Sequence, residues 1–325
     1  MKTTACVLTW SLLALGCAGT TEETPETPAA TPAYDSESFA VVDDAAFRRL
    51  IPADAEVTQI TTGHQFVEGP VWIDEDGGYL VFSDIPANEL KRWDPTSGAR
   101  TFRAPSNSAN GNTLDLEGRL VTAQHDGRVT RTEADLTVVT IAERYEGGRL
   151  NSPNDVVVKS DSTIWFTDPS YGLGEREQET PGNYVYRLDP ASQAVTAVVT
   201  DMEMPNGLCF SPDESVLYVA DAGSPRHIRA FTLEADGTTS GGAALATIDQ
   251  GFPDGIRCDE LGNVWSSSGD GAQIFSPAGA LIGRILLPEG AANLAFGGPD
   301  GTTVYFTART SVYSIPSLVH DGARR

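Results

Sequence analysis

Five oxygen-bearing side chains recur along this chain, each at the start of a similar short apolar segment: Glu68, Asn110, Asn154, Asn206 and Asp254. Two carboxylates and three amides offer only hard oxygen donors, with no cysteine or histidine among them. Such a set suits Ca²⁺, suits Mg²⁺ or Mn²⁺ less well, and argues against a dedicated zinc site. The chemistry depends on whether the chain gathers these residues in one place.

The segments around them supply the geometry. Pro205-Asn206-Gly207-Leu208-Cys209-Phe210 leads through a polar turn to Val216-Leu217-Tyr218-Val219-Ala220-Asp221, which reads as an antiparallel hairpin with a polar residue at its mouth. The same shape recurs with anchors at 68, 110, 154, 206, 254 and 292, separated by 42, 44, 52, 48 and 38 residues. A four-stranded propeller blade has this period, about 40 to 50 residues. Val, Phe, Tyr, Trp and Thr dominate the segments, with Gly, Asp and Pro between them, so strands fit better than a helical solenoid. The expectation is an all-β, six-bladed β-propeller over residues 41–325, with Val57 to Thr62 joining the last blade to close the ring.

The first strand of each blade lines the central channel, so Glu68, Asn110, Asn154, Asn206, Asp254 and Ala292, with Asn293 beside it, converge at one end of the axis. That ring would be an axial divalent-metal site. Asn, Asp and Gly are also turn formers, and Pro-Asn-Gly before any single strand is explained by backbone dihedrals alone. Glu68 does not fit that explanation, nor does an oxygen donor at five of six turns. The second strand of each hairpin returns to the same face, bringing Asp84, His125, Asp168, Asp221 and Ser267 to the rim as candidate substrate contacts. Asp and Ser there could equally end strands and satisfy loop amides. His64, His227 and His320 read as surface or packing residues.

The 325 residues carry a net charge of −23, from 45 acidic and 22 basic side chains, which disfavours nucleic-acid partners. Residues 1–17 read as a signal peptide, with an apolar run from Cys6 to Leu15 too short to span a bilayer. Leu13-Ala14-Leu15-Gly16-Cys17 is similar to a bacterial lipoprotein signal, which would lipidate Cys17; ordinary cleavage near Ala18 is the alternative. Residues 18–40, rich in Thr, Pro and Glu, read as a disordered tether. The expected location is periplasmic or outer-membrane-anchored, otherwise secreted. Cys209 and Cys258 lie in corresponding strands of successive blades with opposite parity, and either face each other, as thiols or a disulfide, or point apart.

Several stretches together resemble one family. They are Glu68-Gly69-Pro70-Val71-Trp72, Asn110-Gly111, Leu120-Val121-Thr122-Ala123-Gln124-His125, Asn151-Ser152-Pro153-Asn154-Asp155, Thr167-Asp168-Pro169-Ser170-Tyr171-Gly172, Pro205-Asn206-Gly207, Pro253-Asp254-Gly255, and Asn293-Leu294-Ala295-Phe296-Gly297-Gly298. In this order and at this spacing they resemble the gluconolactonase, senescence-marker-protein and luciferin-regenerating-protein family, its bacterial gluconolactonase branch above all. The resemblance implies Ca²⁺ in the axial channel, with Mg²⁺, Mn²⁺ or Zn²⁺ as substitutes, on Glu68, Asn154, Asn206 and Asp254. It implies an acid/base role for Asp254 and, less directly, a substrate contact from Asn110; His125 and Asp168 stay candidates from the hairpin geometry.

The implied reaction is hydrolysis of a sugar lactone by a monomeric enzyme, the cation polarising the lactone carbonyl. Asp254 as general base, attack by metal-bound water and attack by the carboxylate itself all stay open. Two other readings compete: a related propeller hydrolase acting on organophosphates or other esters, and a non-catalytic ligand-binding propeller with structural calcium. No Gly-x-Ser-x-Gly or His-Glu-x-x-His pattern is present, which disfavours serine and zinc hydrolases.

Overall fold

The repeats fold as six antiparallel sheets, each opening on an inner strand: Val67–Ile73, Ala109–Leu114, Val156–Val158, Pro205–Phe210, Ile256–Cys258 and Asn293–Gly297. The structure, a computed structural model, describes residues 1–4 and 33–323; the signal segment's apolar run, Cys17 and most of the tether lie outside them. Numbered from these strands, the sheets are blades 1 to 6 of a six-bladed propeller. Thr58–Thr62 pairs antiparallel with Ser311–Pro316 and completes blade 6, so the chain's two ends close the ring. Phe39–Val41 adds a fifth strand to blade 5 along Leu281–Leu286. Tyr34 and Phe39 pack on Phe47 there, so the folded body takes in residues assigned by composition to the tether.

Side chains alternate along each strand, yet both faces are apolar because each blade is covered by its neighbours. Trp165 of blade 3, fully buried, meets Phe210 of blade 4 edge-on at 5.5 Å. Phe82 and Leu80 of blade 1 share a cluster with Tyr305 and Val312 of blade 6. Truncating a buried aromatic of this kind to alanine costs about 3–5 kcal/mol.

At the axis the inner strands come too close for side chains. Gly207 N donates to Asp254 O at 2.9 Å, and a Cβ on Gly207 would sit 2.4 Å from that oxygen. Gly111 N bonds Asn154 O at 2.8 Å and Gly255 N bonds Ala292 O at 2.7 Å, in the same relation one blade on. The Asn-Gly and Asp-Gly pairs are therefore not simply turn formers. Their glycines are where one blade's backbone touches the next.

Cys209 and Cys258 are buried thiols that face each other, Cys209 within hydrogen-bonding reach of Cys258. Burial pushes the Cys258 thiol well up from its ordinary value.

Candidate metal and active site

Those blade-to-blade bonds use up the backbone of the ring residues. The carbonyl of Asn110 accepts from Ser83 Oγ at 2.6 Å, that of Asn206 from Thr167 Oγ1 at 2.7 Å, and those of Asn154 and Asp254 from the glycines above. Each carbonyl is turned sideways into the preceding blade. Glu68, Asn110, Asn154 and Asn206 are all buried, while Asp254 keeps part of its surface open.

Two of the expected ligands are bonded to each other, and a third acts on one of them through its charge. The Asn206 amide hydrogen-bonds the Asp254 carboxylate, and Asp254 and Glu68 lie near enough for each charge to act on the other. Burial raises Glu68 to about 7, an effect that its bond from Gly69 N at 2.7 Å opposes and the charge of Asp155 reinforces. Burial, then the charge of Glu68, pushes Asp254 well above the usual carboxylate range. Asn154 holds the corresponding place on blade 3, and Asn293 of blade 6 bonds Glu68. Asp155 is fully buried and bound to Arg257 Nη1 at 2.9 Å, so that carboxylate has its own cation.

This donor set fits a hard divalent cation. Two desolvated carboxylates that repel each other would both be neutralised by one dication, and amide oxygens are ordinary ligands for Ca²⁺, which takes 6–8 oxygens. Among the described residues no three His, Cys, Asp or Glu side chains cluster closely enough to hold a metal. A cation at the axis therefore relies on amide oxygens as well as carboxylates.

The rim residues divide. His125 Nε2 lies 2.9 Å from Asn110 Nδ2, and burial lowers its pKa to about 4, so the ring is neutral at physiological pH. Asn110 Oδ1 is buried without a hydrogen-bond partner, as is Ser267 Oγ. Asp168, by contrast, is fully buried with both oxygens occupied, by Asn151 N and Ser152 N, each at 2.8 Å. It caps the loop entering blade 3. Asp84 does the same for Gln65 N and Phe66 N, and Asp221 for Glu203 N and Met204 N. His64, 3.1 Å from Thr61 Oγ1, packs edge-on against Phe82, as its packing role requires.

Two features escaped the sequence. The Asp155–Arg257 pair under the ring joins residues 102 apart, with no signal beyond Asp155 following an anchor. Tyr171, on the loop between Ile164–Asp168 and Tyr184–Asp189, reaches the ring. Its hydroxyl bonds the Asn206 amide; burial, then the charge of Asp254, pushes it up to about 12. The length of that loop was the available clue.

The fold is a six-bladed propeller whose inner strands open on carboxylates and amides. The chain belongs to the SMP-30/gluconolactonase/LRE-like family, whose pattern it matches over residues 66–310. It is 31% identical over 302 residues to a gluconolactonase of Zymomonas mobilis, covering 82% of this chain and 82% of that protein. It is 29% identical to a pentonolactonase of Haloferax volcanii, covering 76% of this chain and 83% of the relative. The solved gluconolactonase of Xanthomonas campestris superimposes with a TM-score of 0.82 at 32% identity, over 88% of this chain and 97% of that one.

Proposed function

We propose that this protein is a Ca²⁺-dependent lactonase that hydrolyses a sugar lactone, with Glu68, Asn154, Asn206 and Asp254 holding the cation. The observation that carries the reading is the pair of carboxylates, Glu68 buried and Asp254 partly open, that act on each other beside amide side chains. Relatives named gluconolactonase and pentonolactonase point to an aldonolactone as substrate. When bound, Ca²⁺ would supply Lewis-acid polarisation of the lactone carbonyl.

Asp254 is the proton carrier in this scheme. Its carboxylate takes a proton from the water whose oxygen bonds to the carbonyl carbon. It returns that proton to the ring oxygen as the acyl C–O bond breaks, leaving the open-chain acid. The Asn206 amide, bonded to the carboxylate, orients it. Asn110 and the neutral His125 offer the substrate a hydroxyl-binding pair, with Asn110 Oδ1 unused by the protein. We propose further that the chain is exported, through lipidation at Cys17 or cleavage near Ala18, and acts as a monomer. Retention of Cys17→Ser in the membrane fraction would count against the anchor, and light scattering reads the mass.

The deciding experiment is acid release from glucono-1,5-lactone in a pH-stat, with metal-stripped protein, Ca²⁺ added back, and Asp254→Asn as the comparison. Turnover that requires Ca²⁺ and is lost in the variant is the expected result. Calcium binding with no cleavage of any lactone would make the ion structural and sink the enzymatic reading.

A further inference from the structure

Among the described residues only three Phe, Tyr or Trp side chains are exposed: Phe66, Tyr171 and Phe252, at 38%, 45% and 49%. All three belong to the channel mouth. Phe66 and Phe252 stand two residues ahead of Glu68 and Asp254, where their chains turn into the inner strands, and Tyr171 reaches Asn206. The rest of the described surface carries exposed aliphatic side chains but no exposed aromatic ring. Exposed apolar side chains gathered around a polar depression mark a binding site more than a random scatter does.

Tyr171 is also firmly held. Gly172 N donates to Ser152 Oγ at 2.8 Å, and that hydroxyl donates to Pro169 O at 2.6 Å, tying down the backbone on either side of the tyrosine. Arg176 anchors the far side of the loop, donating to the carbonyls of Leu150, His125 and Asn151. Gly172 rests on the His125 ring so closely that a Cβ there would lie 2.5 Å from the histidine's own. A ring carried on a loop held in this way needs little backbone ordering on binding. Among the described residues, two buried polar atoms of blades 2 and 5 lack a protein partner: Asn110 Oδ1, on the side chain that His125 meets, and Ser267 Oγ.

Exposed aromatic rings together with unpartnered polar atoms suit a molecule with one apolar face and several hydroxyls. A pyranose-type lactone has that character: its ring C–H groups form a flat apolar face, while its hydroxyls and carbonyl are polar. We propose that Tyr171, flanked by Phe66 and Phe252, is the substrate-positioning residue of this site, stacking on the C–H face of a neutral sugar lactone. The assignment rests on the lactonase reading, and its test separates the two.

Two quantities are measured on the Ca²⁺-loaded protein: KM and kcat for glucono-1,5-lactone, and the Kd of the non-hydrolysable gluconolactam by titration calorimetry. In Tyr171→Ala, KM and the lactam Kd rise together by about tenfold or more, the loss of about 1.4 kcal/mol of binding, while kcat changes less than about threefold. Tyr171→Phe rescues most of the lost affinity, because the ring and not the hydroxyl carries it. Phe66→Ala and Phe252→Ala give smaller rises in the same direction. Since Tyr171 is 45% exposed, truncation leaves the melting temperature unchanged. Lactam binding lost in Tyr171→Ala, from a wild type that turns over no lactone, supports the rim and overturns the hydrolytic reading alone. Lactone turnover with KM and lactam Kd unmoved by Tyr171→Ala overturns the rim and leaves that reading intact. A wild-type protein that binds no lactam overturns the rim outright.

Discussion

The propeller carries two sets of acidic residues at one end, both recurring with the blades, and they meet opposite fates. Asp84, Asp168 and Asp221 close the second strands, and each carboxylate accepts backbone N–H groups from the loop entering its own blade. Glu68 and Asp254 open inner strands. Asp254 meets the Asn206 amide and the charges of Glu68 and Asp155, and Glu68 meets Gly69 N, Asn293 and the charges of Asp155 and Arg257. A carboxylate given two backbone donors is structural. Burial raises both kinds, Asp168 and Glu68 each to about 7, so what separates them is the donors that meet them: two backbone N–H groups at Asp168, one at Glu68 and an amide side chain at Asp254.

The sharpest way to break this contrast is to remove one carboxylate from each set. Asp254→Asn should lower lactone turnover by about 10³-fold, within the range of a lost general acid/base, while the melting temperature holds or rises because a buried repulsion disappears. Asp168→Ala should do the reverse. Two buried N–H groups lose their acceptor at about 1–3 kcal/mol each, so denaturant unfolding should show a loss of about 2–6 kcal/mol with turnover of the folded protein within about threefold. If Asp168→Ala instead inactivates a protein of unchanged stability, its role as a loop cap is wrong.

The same contrast explains what could be read from the sequence. The blade period and the inner strands that open at or near Glu68, Asn110, Asn154, Asn206 and Asp254 were legible because they depend on local patterning repeated six times. The rim was not, because Asp168 and His125 occupy equivalent places in their hairpins, and the difference lies in which backbone groups the preceding loop presents. Asn151 N and Ser152 N face Asp168, whereas at blade 2 Gln124 Nε2 binds Ser106 O, leaving His125 to Asn110. Tyr171 was illegible for another reason: its position depends on Arg176 and Ser152 holding a loop with no periodic signature.

Calcium sharpens the comparison. Added at about 100 times its Kd, it should stabilise the wild-type protein by about 2.7 kcal/mol through mass action, read as a rise in melting temperature. Glu68→Gln should lose most of that increment, while Asp168→Ala, though less stable at the outset, should keep it. An equal calcium increment in all three proteins would place the cation away from the axial ring.

His125 tests the boundary between the two sets, because it belongs to the rim by sequence and to the channel by contact. Its pKa falls from 6.5 in the unfolded chain to about 4 in the fold, the cost of charging a buried ring. Below pH 6.5 the unfolded chain therefore binds a proton that the folded protein does not, and stability falls as pH drops through that window and levels off near 4. The linkage amounts to about 2 kcal/mol at pH 5 relative to neutral pH. In His125→Gln that part of the slope should vanish, leaving the carboxylates' contribution. Because the ring stays neutral above pH 5, the wild-type activity profile should show no inflection near 6.5 that His125→Gln removes. Such an inflection would mean that the imidazole is charged in the working enzyme, and that His125 shares the electrostatic exposure of Glu68 and Asp254 instead of lying quietly against Asn110.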